Sequence, residues 1–196
     1  MTTLAVATVI EQRLSVPIFD QWDSVVDPSY RSSACGPTTM AAITEYWRLN
    51  KGKSNLWGMQ SFWAKGSMIN HFYSSHGGAA YGMSVSSLKG GLKAHASDDG
   101  YVSVTGDATS YTAYRGEINN GRPLAVKFDS YTTFFEPDHN YAYAYHWVVG
   151  VGYAYDTFDS LIIIHDNDGS TFSSQEKYFD YATNSPILSA VTFNIS

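Results

Sequence analysis

The sequence predicts an α+β fold in which an N-terminal helical part packs on a C-terminal antiparallel sheet. Two observations carry this expectation. Apolar residues recur at helical spacing in four stretches before residue 120, whereas the segments after it are short, rich in β-branched residues and separated by turn residues. Helices and strands are thus grouped, not alternating as they would in a βαβ fold. At 196 residues the chain is long enough for one domain with a full core, burying roughly 70% of its extended-chain surface. With no repeat, low-complexity tract or linker, residues 1–196 are expected to form one domain.

In chain order, residues 1–14 carry no clear period and are read as an arm, a pro-segment remnant or a short helix. Residues 14–18 alternate as a strand that Pro17 confines to an edge or a strand end. The polar stretch 20–31, with Pro28, is a loop. Residues 37–49 place Met40, Ile43, Tyr46 and Trp47 on one stripe, and Pro37 fixes the helix start because its missing N–H has no partner there anyway. Residues 55–75 read as a helix in two pieces around Gly66. Ser84 is a good N-cap for a helix over 85–94, which Gly90 and Gly91 should weaken by about 1 kcal/mol each. A short strand over 101–105 precedes a helix over 110–119, closed by Gly121. Strands are then expected at 124–128, 145–153, 161–166 and 187–195.

Composition removes several functions. Twelve basic and eighteen acidic residues give a net charge of -6, and no Lys/Arg cluster occurs, so neither nucleic acid nor an anionic membrane is expected as a partner. Residues 4–10 are apolar but broken by Thr8 and lack a preceding basic residue, so they are neither a secretory signal nor a membrane span. Low charge with abundant Tyr, Ser, Thr and Asn leans towards an extracellular or cell-envelope protein whose signal is absent from this sequence. One cysteine, Cys35, excludes an internal disulfide.

Cys35 lies where the first helix begins. There the free N–H groups and the positive end of the helix dipole favour an anion, so the thiol should ionise easily. A base for it can be sought among the strands. A hairpin turning about Asp156 would set Gly150 opposite Ile162, Val148 opposite Ile164 and His146 opposite Asp166. A carboxylate beside an imidazole fixes its tautomer and orientation, which suits it to act as base to a thiol and acid to a leaving amine. The other histidines, His71, His76, His95, His139 and His165, are read as structural or exposed, and no metal site is expected from their spacing. Asp166-Asn167-Asp168-Gly169 is read as a turn, not a calcium loop.

The Cys35-Gly36-Pro37-Thr38 helix start, the Gly121-Arg122-Pro123-Leu124 strand entry, the segment from His146 to Tyr153 and the later Asp166 together resemble the C39-like branch of the papain-like cysteine peptidases over about residues 15–170. The resemblance implies a papain-like fold and a stand-alone cysteine peptidase without cofactor, acting on a peptide or protein. Cys35 would be the nucleophile, His146 the general base and Asp166 its orienting partner, with Asn167 in reserve. Val16-Pro17-Ile18-Phe19-Asp20-Gln21 matches the segment that carries the family's oxyanion glutamine, giving that role to Gln21 beside the backbone N–H of Cys35. Tyr141, Tyr143, Tyr145 and Trp147 are candidates to line the cleft. The same constellation would serve a glutamine deamidase or acyltransferase, and a catalytically silent peptide-binding module is the reading from another class.

Overall fold

The computed structural model describes residues 9–130, 145–169 and 176–196. Its elements are β1 (Ile10–Arg13), α1 (Cys35–Asn50), α2 (Lys65–Ser75), α3 (Val85–Asp98), β2 (Ser103–Asp107), α4 (Tyr111–Asn119), β3 (Leu124–Phe128), β4 (His146–Tyr155), β5 (Ser160–His165), β6 (Glu176–Asp180), α5 (Tyr181–Asn184) and β7 (Leu188–Ile195). Every strand pairing is antiparallel, in the order β2-β7-β3-β4-β5-β6. The long central strand β4 has β3 along its first half and β1 along its second, on the edge opposite β5. The α+β outline and the sequence of helices therefore match expectation.

Two apolar cores form, one on each face of the sheet. The larger joins α1, α2 and α3 to Trp147, Val149, Val151 and Phe193. The smaller gathers Tyr114 and Ile118 of α4 with Val148, Tyr153, Ile162 and Ile164. Membership alternates along β4 up to Val151 and then changes phase, since Tyr153 joins the same core as Val148. The cause is a bulge between Gly150 and Gly152, where two residues of β4 advance against one of β5.

Several boundaries differ from the sequence reading. The first strand is Ile10–Arg13, and only Leu14 of the expected segment reaches the sheet, through its N–H to Val151 O. Gly152 permits this pairing, because a Cβ there would lie 2.4 Å from Gln12 O. Residues 55–61 turn without forming a helix, and Gly66 lies inside α2, where a Cβ would meet Val26 N at 2.7 Å. Helix α1 is buried on all sides from Cys35 to Trp47, not along one stripe. Its polar residues are accommodated by partners: buried Glu45 accepts two hydrogen bonds from Arg48 and one from Met59 N–H. No helix among the described residues is long and apolar enough to cross a membrane.

Candidate active site

Cys35 is the first residue of α1, which packs across β4. The helix's N-cap residue, Ala34, offers no side-chain hydrogen bond to the first turn. His146 opens β4 and hydrogen-bonds the Cys35 sulfur, to which Trp147 and Gly36 also turn their N–H groups. Its Nε2 lies 3.7 Å from Oδ1 of Asp166, leaving Nδ1 as the ring atom for the sulfur. All three residues are buried, Cys35 and His146 with a small exposed remainder.

These contacts decide the protonation states. Burial opposes charge on Cys35, but the hydrogen bond and charge of His146, with the two backbone amides, outweigh it and hold the thiol below its ordinary value. Burial likewise opposes a charged His146, yet Asp166 and Cys35 together push the ring up to about 9. The two displacements have opposite sign and a shared cause, so each group favours the charged form of the other.

The hairpin brings His146 to Asp166 by a register other than the expected one. Gly150 pairs with Ile164 and Tyr153 with Ile162. The turn spans Asp156 to Asp159, where the Asp156 carboxylate accepts the N–H groups of Phe158 and Asp159. Pairing near the histidine is thus displaced by two residues, which keeps His146 and Asp166 on one face as diagonal neighbours. Beyond the bulge the displacement is three.

The segment from Asp166 to Gly169, expected to be only a turn, ties the parts of the site together. Asn167 Nδ2 lies 3.0 Å from Cys35 O, 3.1 Å from Thr39 Oγ1 and 3.0 Å from Trp147 O, so its two hydrogens clamp α1 to β4. Its Nδ2 is therefore committed to these oxygens, while Oδ1, the atom a reserve orienter would turn to the imidazole N–H, is buried without a hydrogen-bond partner among the described residues. Asn167 O accepts the N–H of Gln21 at 2.9 Å, Asp20 Oδ1 accepts that of Gly169 at 3.1 Å, and Trp22 Nε1 donates to Asp168 Oδ1 at 2.6 Å. The loop that carries Gln21 is thereby latched beside the same segment. Gln21 is buried and donates one amide hydrogen to Arg31 O, leaving the second for another acceptor.

Lys177 is a member of this group that sequence reasoning missed. Buried on β6, it donates from Nζ to Asp166 Oδ2 at 2.8 Å. The cleft residues fare differently. Trp147 packs in the larger core with Nε1 bonded to Met83 O, because β4 is covered on both faces and leaves that ring no open side. Tyr145 is exposed and has φ of 54°, a left-handed backbone unusual for a tyrosine, immediately before His146. Tyr141, Tyr143 and His139 lie outside the described residues.

A model of the Peptidase_C39 like family matches residues 13–186. The chain belongs to that family. Among solved structures, a C39-like protein of Bacillus anthracis superposes with a TM-score of 0.58 at 14% identity, covering 94% of this chain and 98% of its own. Two digestive procathepsins of the Tenebrio molitor larval midgut share the fold. Procathepsin L2 has a TM-score of 0.56 at 10% identity, covering 96% of this chain and 68% of its own. Procathepsin L 3 has a TM-score of 0.52 at 14% identity, covering 97% and 70%. No curated protein sequence matches the chain. The fold of this C39-like chain is papain-like, with the helical layer and the sheet meeting where Cys35 and His146 lie.

Proposed function

We propose that this C39-like protein is a cysteine peptidase that hydrolyses a peptide bond through an acyl-thioester on Cys35. The observation that carries the reading is the meeting of Cys35, at the head of α1, with His146, whose ring has Asp166 beside it, an arrangement that holds the thiol below its ordinary value and the imidazole above. The Cys35 thiolate attacks the peptide carbonyl carbon, and the developing oxyanion takes hydrogen bonds from the Cys35 N–H and the second amide hydrogen of Gln21. His146 gives its proton to the leaving amine as the C–N bond breaks. It then takes a proton from water, whose oxygen attacks the thioester and releases the acid and the thiolate. Asp166 keeps the ring oriented and offsets its positive charge through both steps.

Substrate is a peptide or protein segment extended across the junction of helices and sheet. Cys35→Ala should lower peptide hydrolysis by on the order of 10⁴-fold or more while leaving the circular dichroism spectrum unchanged. Undiminished turnover by that variant on a peptide panel would overturn the reading. Intact-mass analysis of a protein substrate separates hydrolysis from deamidation, which adds about one dalton and leaves the chain whole.

A further inference from the structure

Three histidines read from sequence as structural or exposed converge inside the helical layer. His71 comes from α2, His76 from the residue that ends it, and His95 from the last turn of α3. His76 Nε2 is 3.1 Å from His71 Nε2 and 3.4 Å from His95 Nδ1, and one nitrogen from each ring lies within 4.8 Å of the others. In a tetrahedral zinc site with Zn–N bonds of about 2.0–2.1 Å, ligand nitrogens stand about 3.3–3.4 Å apart. The two closest separations fall about that edge length.

The protons also fit a cation. Trp57 O can only accept, so at 3.0 Å it requires a hydrogen on His95 Nε2 and leaves a lone pair on Nδ1, the atom that faces the cluster. A single hydrogen on His76 Nε2 can be directed at only one of its two neighbours, whereas a cation satisfies all three lone pairs. Burial, then the charge of neighbouring rings, holds His76 and His95 at about 4, and burial holds His71 down as well, so all three are neutral ligands at pH 7. Asp99 Oδ2, 3.5 Å from His95 Nε2, supplies nearby negative charge. A cavity of about 240 Å³ bordered by Trp57, His71, His95, Asp98 and Asp99 leaves room for water as a fourth ligand.

We propose that His71, His76 and His95 bind one Zn²⁺ ion, a structural site that joins the end of α2 to the end of α3 and is separate from Cys35. Contrary to the sequence reading, which takes no metal site from the histidine spacing, His71 and His76 have a four-residue gap found in zinc-binding pairs; the third ligand, on another helix, is supplied only by the fold. The ion would hold together the layer against which α1 rests, since α3 lies so close at Gly91 that a Cβ there would run into both His76 O and Met40.

The test uses the full chain carrying Cys35→Ala, so that thiolate binding does not contribute, stripped with a chelator and titrated with Zn²⁺ by calorimetry. One equivalent should bind and raise Tm, Mg²⁺ should do neither, and Co²⁺ should give the intense visible absorption of a four-coordinate site. His71→Phe keeps a ring against Trp57 and Phe62 while deleting a ligand, and should weaken uptake by at least about tenfold. No uptake by the parent chain, a six-coordinate Co²⁺ spectrum, or uptake unchanged in folded His71→Phe would overturn the site. The Co²⁺ spectrum of the parent chain decides the matter even if His71→Phe fails to fold. Because every readout is binding or stability, failure here leaves the peptidase reading standing, and the reverse also holds.

Discussion

Lys177 Nζ stands 2.8 Å from one oxygen of Asp166 while the other oxygen faces His146 Nε2 at 3.7 Å, so one buried carboxylate is shared by a lysine amine and an imidazole. Such an arrangement fixes the carboxylate from both sides. Removing one member of a buried pair leaves an uncompensated charge. Lys177→Met should therefore destabilise the fold by about 3 kcal/mol, the lower end of the usual range because His146 remains as a partner. The double variant Lys177→Met/Asp166→Asn should recover part of that loss in urea denaturation. Strictly additive effects would show that the two charges do not act as a pair.

The opposed displacements of Cys35 and His146 set the pH dependence. A thiol held below its ordinary value keeps its thiolate to lower pH than a free thiol, so alkylation by iodoacetamide should decline only at lower pH than it does for a free thiol. The imidazole, raised to about 9, stays protonated through neutrality, so kcat/KM should fall on the alkaline side around pH 9 as the proton needed by the leaving amine is lost. Deleting the thiolate by Cys35→Ala removes two of the influences that raise His146, and its ring should titrate lower in that variant by NMR. An alkylation profile like that of a free thiol would remove the ion pair.

Asn167 makes a different kind of prediction, because its contribution is to donate hydrogens. Asn167→Asp keeps the shape but presents a carboxylate to Cys35 O, Thr39 Oγ1 and Trp147 O, where the amide now gives two hydrogens. The expected loss is about 3–5 kcal/mol at neutral pH, against about 1–3 kcal/mol for Asn167→Ala, which removes these hydrogen bonds without adding charge. Chemical denaturation of the two variants reads the difference, and equal losses would mean that the amide acts only by filling space.

These residues show how far a sequence carries. The start of α1 was legible because Pro37 and the spacing of Met40, Ile43 and Tyr46 are local signals, and β3 was found with its observed bounds. The His146 to Asp166 meeting was legible only in part. It follows from apolar alternation interrupted at two places, but the turn is displaced by the hydrogen bonds of Asp156, and the bulge after Gly150 makes up the odd residue. Had β4 run without that bulge, the same turn would have put the two side chains on opposite faces. Lys177 was not legible, since a lysine between polar and aromatic residues reads as outward-facing until Asp166 is known to lie beneath it. The histidine cluster was hidden for the same reason, its third member arriving from another helix.

Two adjacent glycines of α3 test the packing of that layer with opposite signs. From sequence, Gly90 and Gly91 weaken the helix equally, since each lacks the restriction that makes alanine favourable there. In the fold they are not equivalent. Gly90 is exposed and a Cβ on it would meet nothing within 4 Å, so Gly90→Ala should stabilise the protein by about 0.4–1 kcal/mol, mainly by restricting the unfolded chain. Gly91 is buried, and a Cβ on it would come within 2.4 Å of His76 O and 2.9 Å of Met40 Sδ. The methionine can move, but the backbone carbonyl can yield only if α3 shifts away from the end of α2, so Gly91→Ala should cost about 1–3 kcal/mol. Urea midpoints for the two variants should therefore bracket that of the parent chain. If both rose, α3 would not lie as close to His76 as this packing requires.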